Sequence, residues 1–88
     1  MKKIKCNNVE YRKGYIEVSP NIHDGFINLE TWDIDPEIDL SKIDIDDDNF
    51  PENAVTANTE IELSVKETEE LISKLQEALV LAKGNDEQ

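Results

Sequence analysis

The chain has 88 residues, of which 38% are apolar and 34% charged, and its formal charge is -12. That length confines it to one domain, residues 1–88, and so low an apolar share confines that domain to a small core. The acidic balance argues against direct contact with nucleic-acid phosphates or anionic membranes, because both need clusters of Lys and Arg, and the chain has no apolar run long enough to span a bilayer.

The first residues, Met-Lys-Lys-Ile-Lys-Cys-Asn-Asn, are charged, but the apolar run that a signal peptide requires does not follow. A cytoplasmic location is therefore expected. Cys6 is the only cysteine, so no internal disulfide can form, which suits a reducing compartment. Ile4 and Cys6 alternate, as do Val9 and Tyr11, and Ile16 and Val18 follow a turn signal at Lys13-Gly14. This reads as a strand meander with Cys6 on an inner face. Ser19-Pro20-Asn21 and His23-Asp24-Gly25 are turn chemistry, Asp-Gly being suited to positive φ. Phe26 to Ile34, rich in β-branched and aromatic residues, is expected to be a central strand.

Charge is distributed unevenly. Residues 1–23 carry five basic and two acidic groups, residues 24–52 one basic and eleven acidic, and residues 53–88 three basic and eight acidic. Within the acidic segment, 33–52, Ile34, Ile38, Leu40, Ile43 and Ile45 are interleaved with Asp33, Asp35, Asp39, Asp44 and Asp46. If extended, such stretches would bury the aliphatic groups and set the carboxylates in a row about 6.6 to 7 Å apart. From Asp46 through Asp47 and Asp48 to Asn53 the pattern breaks into a loop.

Thr59 to Leu63 alternates as a strand, and Ser64-Val65-Lys66-Glu67 matches a capping box that opens a helix. Leu71, Ile72, Leu75, Ala78, Leu79 and Ala82 form one apolar stripe at the helical period, so a helix is expected over about 65–83. Gly84 is the expected C-terminal cap and residues 85–88 a flexible tail. Leu75 is expected at the centre of the core. Val80 and Leu81 fall about 130° from the centre of the stripe, at 100° per residue, where they would be free for self-association.

Catalytic chemistry is poorly supplied. His23 is the only histidine, and it sits in a turn. One Cys and one His argue against a zinc site, and three isolated glycines make no phosphate loop. Asp44 to Asn49 begins like a calcium-binding EF-hand loop, but position 6 is Asn49 and position 12 is Val55, where Gly and Glu are required. No catalytic residue, metal or cofactor is therefore assigned, and the chain is expected not to be an enzyme.

The fold expected is α+β, a small antiparallel sheet of four or five strands with one C-terminal amphipathic helix packed on one face. The expected function is that of a non-enzymatic acidic binding or inhibitor protein. Asp33, Asp35, Asp39, Asp44, Asp46, Asp47 and Asp48 would dock on a basic protein partner, in one form by mimicking a nucleic-acid backbone. That partner would be a nucleic-acid-binding enzyme or regulator, or a basic toxin. In size, charge and lack of a catalytic set the chain resembles the acidic inhibitor proteins of bacteriophages, a similarity of composition with no shared motif. The alternative is a structural or assembly subunit, a homodimer formed through the C-terminal helix.

Overall fold

A computed structural model of the chain describes residues 2–86. Four strands, β1 (Ile4–Cys6), β2 (Lys13–Pro20), β3 (Ile27–Ile34) and β4 (Val55–Leu63), are followed by one helix, α1 (Val65–Asp86). The strands form a single antiparallel sheet in chain order, so the fold is a small α+β meander with a C-terminal helix. The run from Phe26 to Ile34 does supply a central strand, β3, paired on both sides.

Turn chemistry fixes the β2–β3 hairpin. Asn21 (φ 57°) and Gly25 (φ 81°) take the left-handed conformation that Asn and Gly tolerate best. Phe26 N–H donates to the His23 carbonyl, and Gly25 N–H to the Asn21 side chain at 3.1 Å. The first hairpin departs from expectation. Val9 and Tyr11 lie in the connection between β1 and β2, where both are exposed, and the turn is closed there by Arg12 N–H donating to the Val9 carbonyl. Lys13-Gly14 is strand. Gly14 stands opposite Asp33, and a Cβ there would collide with the Trp32 carbonyl oxygen. The glycine marks a close approach of two backbones inside the sheet.

The pleat sorts side chains onto two faces. Lys5, Tyr15 and Trp32 share a cross-strand row on one face, whereas Ile16, Val18, Leu29 and Ile61 lie on the other. The long β3–β4 connection crosses the first face. Leu40, 0% exposed, sinks against Tyr15 and Ile34, with Trp32, Ile38, Ile45, Phe50 and Val55 packed around them. This is the core, and it is small.

The helix departs from expectation in placement. Its capping box forms, with Glu67 N–H donating to Ser64 Oγ at 3.1 Å and Ser64 N–H donating to the Glu67 carboxylate at 2.9 Å. The stripe, however, covers no face of the sheet: Ile72, Leu75 and Leu79 are 49, 60 and 53% exposed, so Leu75 is not a core residue. Only Ser64 separates β4 from α1, and its cap fixes the exit direction, so the helix runs on beyond the sheet. The radius of gyration is 15.3 Å, against about 12 Å for a compact domain of this length. The helix also continues through Gly84 to Asp86, and Gly84 has no positive φ, so it does not cap the helix. Of the tail expected at 85–88, residues 85 and 86 are helical, and 87 and 88 lie outside the described residues.

Candidate partner-binding surfaces

The acidic segment folds as a chain of turns. Carbonyls of Asp35, Asp39, Asp44 and Asp47 each accept from the N–H three residues on, at 3.0 Å. Asp is favoured at the first position of such turns because its side chain can accept a backbone N–H two residues ahead. Three of the four do so. Glu37 N–H donates to Asp35, Ser41 N–H to Asp39 and Asn49 N–H to Asp47, at 2.8–3.0 Å. Hydrogen bonds from the Ser41 hydroxyl and N–H hold the Asp39 carboxyl below the usual carboxylate range. The recurrent Asp is thus turn chemistry, and the carboxylates of 35–48 do not line up at alternate strand positions. Ile38, Leu40 and Ile45, within these turns, pack in the core.

Basic residues of β1 and β2 fasten this loop to the sheet. Lys5 Nζ donates to the Leu40 carbonyl at 2.9 Å and Lys13 Nζ to the Ile38 carbonyl at 2.8 Å. Lys5 also pairs with Asp44 at 3.2 Å. Lys3 pairs with Asp46 at 3.4 Å and stands over the Trp32 ring at 5.1 Å. Tyr15 is the pivot, its hydroxyl donating to Asp44 Oδ1 at 3.0 Å while accepting from Ile45 N–H at 3.3 Å. Burial raises the Tyr15 phenol above its ordinary value. The hydrogen bond from Tyr15, with the nearby Lys5 ammonium, lowers the Asp44 carboxyl.

The seven predicted carboxylates therefore separate. Asp33 lies on the sheet face away from the loop, by its register with Gly14 and Ala57. Asp35, Asp39 and Asp47 cap turns, and Asp44 and Asp46 pair with lysines. Asp48 is exposed and has no hydrogen bond or ion pair among the described residues. Three further carboxylates escaped the sequence reading. Glu17, Glu30 and Glu60 stand directly opposite one another across β2, β3 and β4, on the face that carries the loop. Neighbouring strands are about 4.8 Å apart, so this is a close row of like charge. Asn58 donates one hydrogen bond to Glu30 at 3.1 Å, and Lys3 reaches Glu17 at 3.9 Å. The row is invisible in sequence because its members are thirteen and thirty residues apart and meet only through the register.

Val80 and Leu81 are 69 and 67% exposed, but the stripe beside them is uncovered too. The sheet face opposite the loop is likewise apolar and open, with Ile61 60% exposed at one edge. Its sequence signal was present. In β3 the apolar residues change parity midway, Ile27 and Leu29 facing one side and Trp32 and Ile34 the other, so that one strand serves two faces.

His23 is exposed and pairs with Glu62. Among the described residues no three His, Cys, Asp or Glu side chains converge as metal ligands, and no helix is long and apolar enough to cross a membrane. No protein-family model, curated protein or solved structure matches this chain.

Proposed function

We propose that this chain is a non-enzymatic binding protein whose acidic face docks on a basic surface of a protein partner in the cytoplasm. The observation that carries this reading is the row Glu17–Glu30–Glu60 beside the acidic loop. Like charges set directly opposite across strands destabilise a sheet, and a cationic partner would relieve that cost. The lysines of the same face, Lys3, Lys5 and Lys13, are engaged with the loop or its carboxylates, and Lys42 is the one basic residue of the loop itself, which leaves the outer surface predominantly negative. Such a surface raises association rates with a basic groove and suits a nucleic-acid-binding enzyme or regulator, or a basic toxin. Inhibition by occupying that groove follows from the same electrostatics.

Affinity capture from a cell lysate, with wild type and with Glu30→Gln/Glu60→Gln/Asp46→Asn/Asp48→Asn in parallel, tests it. Wild type should retain a basic protein that the variant does not, and retention should fail as the Debye length shrinks from about 10 Å at 0.1 M salt to about 3 Å at 1 M. Identical prey on both proteins, held equally at both salt concentrations, would overturn the reading.

A second reading, an assembly subunit that self-associates through the C-terminal helix, is favoured by a different observation: the stripe Ile72, Leu75 and Leu79 is uncovered.

A further inference from the structure

The chain carries two unpartnered apolar surfaces of complementary form. One is the sheet face opposite the loop, where Val18, Leu29 and Ile61 make a cross-strand row and Ile27 and Leu63 make the next. The other is the helix stripe. A sheet is stable when something covers its apolar face, and a helix stripe is the usual cover. Here one chain supplies both, yet the single-residue connection at Ser64 sends the helix away from its own sheet.

We propose that a second copy of this chain closes both surfaces, the helix of each protomer lying across the open sheet face of the other. The inference rests on the assembly reading and is independent of the acidic face.

Dimensions agree. A helix of 22 residues is about 33 Å long at 1.5 Å per residue, and a strand of nine residues is about 30 Å at 3.3 Å per residue. A helix about 10 Å wide along that length covers roughly 330 Å². Counted on both sides of two equivalent seams, the area removed from water is about 1,300 Å², within the range of about 1,200 to 2,000 Å² for stable interfaces. The arrangement is reciprocal, so it closes as a two-fold dimer.

Charge agrees as well. A chain of -12 repels its own copy unless the charge is kept from the contact. On the open face Asp33 is the only charged strand residue, and it lies at the far end of β3 from Ile27 and Leu63, whereas Glu17, Glu30 and Glu60 occupy the opposite face. The stripe from Leu71 to Ala82 contains no charged residue. Both seams therefore form without burying a carboxylate.

The test uses the full chain, with Leu75→Glu on the helix and Ile61→Glu on the sheet. Both side chains are 60% exposed in the single chain, so neither change disturbs the core. Circular dichroism checks that each folds, and Leu75→Ser and Ile61→Thr replace any variant that does not. By sedimentation equilibrium the wild type should be a dimer, and each variant alone should dimerise at least about tenfold more weakly. Mixing the two variants should then restore dimer, because a mixed pair keeps one seam with an intact helix and an intact sheet, while neither variant alone keeps any. A monomeric wild type would overturn both this inference and the assembly reading. A wild-type dimer that survives either single variant, or a mixture that regains nothing, would overturn the exchange alone and place the contact between like surfaces.

Discussion

Gly14 shows how one atom's absence fixes a sheet. The residue sits in β2 against the Trp32 carbonyl, and a methyl group there meets backbone that cannot turn aside. Gly14→Ala should cost more than about 2 kcal/mol in chemical denaturation, since overpacking against fixed atoms is among the larger single-residue penalties. Asp44 is the corresponding electrostatic case. Its carboxyl is lowered by Tyr15 and Lys5. A group lowered on folding contributes stability that is present above its ordinary value and is lost as pH falls through the lowered one. Stability should therefore decline between about pH 5 and pH 2. Asp44→Asn should make that decline shallower without abolishing it, because Asp39 and Glu67 are lowered too. Denaturation midpoints across that range, compared between wild type and variant, measure the difference.

At the scale of elements, a loop stands in for the second layer that a helix would commonly provide. The β3–β4 connection is held by hydrogen-bonded turns, two lysine bonds to its carbonyls and the burial of Leu40. Leu40→Ala removes the largest side chain that is wholly buried and should cost about 2 to 5 kcal/mol. Leu75→Ala, by contrast, should leave the folded single chain within about 0.5 kcal/mol of wild type when measured in dilute solution. The two substitutions delete the same side-chain atoms, so the comparison isolates burial. Equal losses would mean that the helix packs on its own sheet.

For the whole molecule, charge and exposed apolar surface make stability depend on the medium. With -12 on 88 residues, and three glutamates in register, self-repulsion opposes the fold. Added salt should raise the melting temperature, in spite of weakening the exposed lysine pairs. Calorimetry at low and high sodium chloride measures this, and a fall in melting temperature would show that the lysine clamps outweigh the repulsion. Because the described core holds only Tyr15, Ile34, Leu40 and Ala54 as buried apolar residues, melting should also shift upward with protein concentration, as binding of a second copy stabilises the native state.

Elements whose causes are local could be read from the amino acids alone. The capping box at Ser64 and Glu67, the positive φ at Gly25, and the strand over 27–34 depend on residues within a few positions of one another, so pattern and propensity suffice. Tertiary structure decided what depends on register and direction. Alternating Ile and Asp in 34–46 fit a half-buried strand as well as a series of turns, and the turns prevailed because Tyr15, Lys5 and Lys13 offered anchors from distant strands. The apolar stripe specified a helix without specifying its cover. That choice lay with the one-residue connection at Ser64, which carries α1 past the sheet and leaves both apolar faces open, because a chain turning so abruptly takes its direction from the cap and not from the stripe.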